Sequence, residues 1–153
     1  MVNLRDARGP TEPHPIALVD ELVATAVRIG AGSLLLVAGL IKWRHGVDRF
    51  TTAVLRYEIV QGRVARAVGR TVPASEILLG ALLLSGLVTR SAAIAAAVLV
   101  AGFTIAVGVS YARGRRNDCG CGGALGGRIG PRLIARNAGL LAALLLLSLR
   151  FPI

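Results

Sequence analysis

The chain has 153 residues, 54% of them hydrophobic and 17% charged, with a mean hydropathy of +0.67 and a formal net charge of +10. Soluble domains carry about 25% charged residues, and disorder needs low hydrophobicity, so neither an ordinary soluble domain nor a disordered chain fits. A soluble nucleic-acid binder is excluded too, because the apolar residues fall in runs too long for a small soluble core and the basic residues flank those runs.

Residues 1–20 hold Arg5, Asp6, Arg8, Pro10, Glu12, Pro13 and Pro15 and read as a polar, flexible leader. It lacks the basic start, short apolar core and small-residue cleavage site of a signal peptide. Residues 21–150 read as one four-span transmembrane domain. The apolar runs cover residues 22–41, 72–89, 91–111 and 133–149, each near the roughly 20 residues that cross a bilayer as a helix. The first contains Arg28 and ends at Lys42-Trp43-Arg44, a basic and aromatic group suited to the membrane interface. Only Arg90 separates the second run from the third, which demands a tight antiparallel hairpin. Small residues spaced by four (Ala93, Ala97, Ala101; Ala81, Ser85; Ala138, Ala142) suggest faces for close helix packing. The expected fold class is all-α, an integral membrane four-helix bundle.

Residues 44–71 differ. Arginines fall at 49, 56, 63 and 70, with Phe50, Val54, Leu55, Val64 and Val68 free to form another face. The segment is too charged to span and reads as one or two interfacial amphipathic helices between the first and second spans, broken near Gly62. Its seven basic residues (Lys42 to Arg70) and the five of the third connection (Arg113 to Arg132) lie on one side of a four-span topology. Basic residues near span ends stay cytoplasmic, so a multi-pass cell-membrane protein with both long connections in the cytoplasm is expected.

The two cysteines, Cys119 and Cys121, stand in Asn117-Asp118-Cys119-Gly120-Cys121-Gly122-Gly123. A Cys-Gly-Cys ring is tight and easily reduced, as a redox-active dithiol requires. Arg113, Arg115 and Arg116 lie just upstream, and positive surroundings favour the reactive thiolate. Two other readings stay open. A metal site would need ligands beyond Asp118, the distant His45 and the leader's His14, so none is assigned. A glycine-rich turn could simply contain two small residues. Glu76 either favours the N-terminus of the second span, just after Pro73, or lies deeper as an intramembrane carboxylate with a functional role. Arg136 and Asn137 either hold the cysteine loop or mark the start of the fourth span. No nucleophile–base pair, phosphate loop or paired carboxylates are seen, which leaves hydrolase or kinase chemistry without support.

The ordered set of motifs resembles the MauE family, within the DoxX-like four-helix membrane proteins. It comprises Ala38-Gly39-Leu40-Ile41-Lys42, Phe50 and Tyr57, Pro73-Ala74-Ser75-Glu76-Ile77-Leu78-Leu79-Gly80, Gly86, Phe103-Thr104, Arg113-Gly114, the Cys-Gly-Cys loop, Ile129 and Arg136-Asn137. The resemblance covers residues 25–147. This chain has Gly122-Gly123 where the family usually carries Phe then Gly. The resemblance implies methylamine utilisation: processing, transport or maturation of methylamine dehydrogenase, whose small subunit is rich in disulfides. It also implies a thiol–disulfide relay through Cys119 and Cys121 with a thioredoxin-like partner. Glu76 and Arg136 are supporting candidates. The alternatives are a non-catalytic scaffold or transport accessory, and a quinone-linked oxidoreductase subunit. Charge counting puts the cysteines in the cytoplasm, whereas an exported enzyme is oxidised outside. One dithiol cannot carry electrons across a bilayer, so a quinone or a partner thiol protein would have to take them.

Overall fold

The computed structural model describes residues 15–114 and 129–150. These form five helices: α1 (Pro15–Arg44), α2 (Val47–Arg56), α3 (Gly62–Ser85), α4 (Thr89–Ala112) and α5 (Pro131–Arg150). There are no strands among the described residues. Four of the helices are long and apolar enough to cross a membrane, so the chain is a multi-pass helical membrane protein. Leu22, Leu78, Val98, Ile105 and Leu146 are all more than half exposed. That is the expected state of residues turned to lipid, where a helix satisfies its own backbone and its outer face needs no cover.

Helix boundaries depart from the apolar runs in two places. α1 begins at Pro15, so the last residues of the expected leader are helical. Residues 1–14 lie outside the described residues. α3 begins at Gly62 rather than near residue 72 and carries Pro73 in its interior. Proline removes one backbone donor there, a loss that membrane helices tolerate. The arginine-rich stretch is therefore split. α2 is a separate amphipathic helix that buries Phe50 and Val54, while Arg63, Arg66 and Arg70 ride on the exposed side of the first turns of α3. Leu55 and Val64, expected on the apolar face, are exposed.

The hairpin between the second and third spans is present. It turns at residues 86–88, with Thr89 and Arg90 already inside α4. Gly86 closes α3 in the left-handed region at φ 75°. A side chain there would be strained, and its Cβ would also lie 2.6 Å from the Arg28 guanidinium. Arg28 donates to the carbonyls of Leu83 (2.9 Å) and Leu84 (3.2 Å). It thereby satisfies carbonyls that the last turn of a helix leaves without partners. The charge interrupting the first apolar run is a cap for its neighbour.

α1 packs along α3, and α4 along α5. The buried positions of α3 are Ala65, Gly69, Pro73, Glu76, Gly80 and Leu83, one face at spacings of three and four. α1 answers with Ala31, Gly32, Leu35, Gly39 and Lys42. A Cβ on Gly80 would sit 2.6 Å from the Leu36 nitrogen and 2.8 Å from the Gly32 carbonyl oxygen. A Cβ on Gly39 would sit 2.8 Å from the Pro73 carbonyl oxygen. Glycines thus bring the two backbones together, the way membrane helices gain contact without a hydrophobic drive. Of the predicted small-residue faces, Ala93 and Ala97 of α4 are buried, whereas Ala81, Ser85, Ala138 and Ala142 are exposed.

Gly80→Ala therefore forces α1 and α3 apart, because its neighbours are backbone and cannot yield. Overpacking of this kind costs about 1–3 kcal/mol, and the thermal unfolding midpoint in detergent should fall. Gly139→Ala, with open space around it, should leave the midpoint unchanged or slightly raised through helix propensity.

Candidate functional site

Lys42 lies in the last turn of α1 and Glu76 in the middle of α3. Their relative exposures are 3% and 2%. The Lys42 ammonium donates to both carboxylate oxygens, at 2.6 Å to Oε1 and 2.8 Å to Oε2. Two aromatic faces cover the same ammonium: Phe50 of α2 at 5.4 Å and Phe103 of α4 at 5.5 Å to the ring centroids. Cation–π contacts of desolvated ammonium groups are worth up to about 2 kcal/mol. The charge is thus neutralised by α3 and enclosed by α2 and α4.

The pair forms the inner end of a cavity of about 270 Å³. Its walls come from Leu34, Leu35 and Ala38 of α1, Val100 and Phe103 of α4, and Leu140 of α5. Arg136 and Asn137, on the second turn of α5, complete the polar lining. Arg136 is exposed, and Asn137 is only 7% exposed. The cavity mouth lies between α1 and α5, where Leu34 and Arg136 both reach the surface. A second, almost wholly apolar cavity of about 370 Å³ lies between α2, α3 and α4 and shares Phe50 and Phe103 with the first site.

The structure thus brings Glu76, Arg136 and Asn137 to one cavity and adds Lys42. Glu76 does not open a helix. It lies fourteen residues inside α3 and takes the deeper of its two sequence readings. Cys119 and Cys121 lie outside the described residues. Sequence reasoning missed the Lys42–Glu76 partnership, since Lys42 looked like an interfacial residue ending a span. The available signal was that both residues sit inside the two most distinctive stretches, 38–42 and 73–80.

The family model described as methylamine utilisation protein MauE matches residues 20–150. The chain belongs to the MauE family. It is 32% identical over 105 residues to the methylamine utilization protein MauE of Paracoccus denitrificans. That match covers 68% of this chain and 56% of the relative, so the aligned region spans little more than half of the relative's length. No solved structure matches. The family match takes in the ion pair, the α5 polar residues and the cysteine connection, the parts of the chain where chemistry is concentrated.

Removing one member of a buried ion pair leaves an uncompensated charge, at a cost of about 3–5 kcal/mol. Glu76→Gln should therefore lower the thermal midpoint of the purified protein more than Gly80→Ala does. An unchanged midpoint would show that the Lys42 charge has another partner.

Proposed function

We propose that this MauE-family chain assists maturation of a partner enzyme in the membrane, by thiol–disulfide exchange at Cys119 and Cys121. The observation that carries the proposal is the placement of the chain's two cysteines one glycine apart, in the connection that joins α4 to α5. That connection enters α5 two turns before Arg136 and Asn137, at the polar half of the bundle. The name of the Paracoccus denitrificans relative, a methylamine utilization protein, supports a client such as methylamine dehydrogenase.

The exchange balances as follows. A client thiolate attacks one sulfur of the Cys119–Cys121 disulfide and forms a mixed disulfide, releasing the other cysteine as thiolate. A second client thiolate then attacks the client sulfur of that mixed disulfide. The client keeps a new disulfide, and Cys119 and Cys121 hold two electrons and, once protonated, two protons. A thioredoxin-like partner in its disulfide form reoxidises the pair and leaves as a dithiol. Small, strained rings have high reduction potentials and favour such turnover. The surplus of basic residues in the long connections supports a cytoplasmic position for the pair, where the partner would meet it.

Trapping in native membranes tests this. After exposure to oxidised or reduced dithiothreitol, acid quenching and labelling with a bulky maleimide should separate an oxidised from a reduced form. The single variants Cys119→Ser and Cys121→Ser should each accumulate a mixed disulfide with a partner, and client activity should fall at least tenfold. A pair that stays reduced under every acceptor, with full client maturation in the double serine variant, would overturn the proposal. Labelling intact cells with an impermeant maleimide reads the face directly, and protection of both thiols until lysis is the expected result.

A further inference from the structure

The cavity beside the ion pair has the make-up of a binding site. We infer that it holds the polar head of a lipid-soluble molecule carrying a neutral carbonyl, with the apolar body leaving between α1 and α5 into the bilayer. Four observations carry this.

The first is an unpartnered buried amide. Asn137 is 7% exposed and lines the cavity, and its side chain makes no hydrogen bond among the described residues. A buried amide left unsatisfied costs free energy comparable to a lost hydrogen bond. Its two N–H donors fit a carbonyl oxygen.

The second is the charge at the inner end. The Lys42 ammonium is already spent on both Glu76 oxygens and covered by two rings. It has no claim on a carboxylate or phosphate, and the Glu76 carboxylate beside it opposes one. A neutral head is selected over an anionic one.

The third is size. About 270 Å³ lies just under the range of roughly 300–1,000 Å³ typical of small-ligand sites. It suits a single ring or an ester group, with the remainder of the molecule outside.

The fourth is access. The mouth lies between two spanning helices, and its rim includes Leu34, 43% exposed on a lipid-facing side. The route leads to hydrocarbon rather than to water.

Two membrane components share this chemistry: the ring carbonyl of a quinone and the ester carbonyl of a neutral acylglycerol. The experiment separates them and is independent of the thiol reading, because it uses Cys119→Ser/Cys121→Ser protein. That protein is placed in nanodiscs and photolabelled with an azido-benzoquinone bearing a short alkyl tail. Labelling should saturate and map to peptides containing residues 34–42 or 136–140. Decylubiquinone as the stronger competitor assigns the site to a quinone, and monoolein as the stronger competitor assigns it to an acylglycerol. Asn137→Leu should raise the half-saturating concentration about tenfold, the equivalent of one lost hydrogen bond. Ala38→Phe, at a half-buried wall position, should abolish labelling by filling the space, and it keeps the test decisive if Asn137→Leu fails to fold. Labelling that does not saturate, that spreads evenly over the lipid-facing helices, or that survives Ala38→Phe would overturn the inference.

Discussion

The bundle depends on one constraint: two opposite charges lie inside it, and neither can be left alone there. Lys42 and Glu76 are separated by 34 positions in sequence and meet at 2.6 Å. An isolated charge in a medium of low dielectric costs several kcal/mol even after relaxation, so the position of α1 against α3 is fixed wherever the pair forms. The glycine contacts follow from that. Gly39 lies one turn from Lys42 and meets Pro73, one turn from Glu76. Seven residues further along, Gly32 meets Gly80. The same pair recruits the other helices, since α2 and α4 each supply a phenylalanine that covers the ammonium.

The molecule consequently has two unlike halves. Toward the α3–α4 turn it is dry and closely packed, with Leu83, Ala93, Ala96 and Leu144 fully buried. The loose ends there are tied locally: Arg28 caps α3, and Asp20 meets Arg150 across α1 and α5 at 3.1 Å. Toward the other end the helices part enough to leave a cavity, and the buried polar groups gather around it. The cysteine connection and the arginine-bearing α2 segment belong to that second end by connectivity. Stability and chemistry are thus assigned to opposite ends of one small bundle.

Much of this was legible in the sequence, and the reasons differ by element. The four spans could be read because each carries an unbroken apolar run near bilayer length, a signal that needs no tertiary information. The amphipathic segment could be read from charge density. The start of α3 could not, because Arg63, Arg66 and Arg70 look incompatible with a spanning helix until α2 is seen to cover the opposite face at Ala65 and Gly69. Glu76 and Arg136 stood out by residue type in apolar surroundings, and both line the cavity. Lys42 did not, since a lysine at the end of an apolar run is ordinarily an interfacial anchor. Which small residues face inward was equally hidden: periodicity marks Ala81 and Ser85 as well as Ala93 and Ala97, and only packing against a particular neighbour separates them.

The central claim is that Lys42 and Glu76 act as a unit in setting the α1–α3 crossing. The most direct measurement is the thermal midpoint of Lys42→Met/Glu76→Leu beside the two single variants. A buried pair replaced whole by apolar groups is often neutral, whereas either half alone is costly. The account predicts a double variant more stable than both singles and close to the parent. Losses that simply add would contradict it, because they would mean that each residue contributes through contacts of its own.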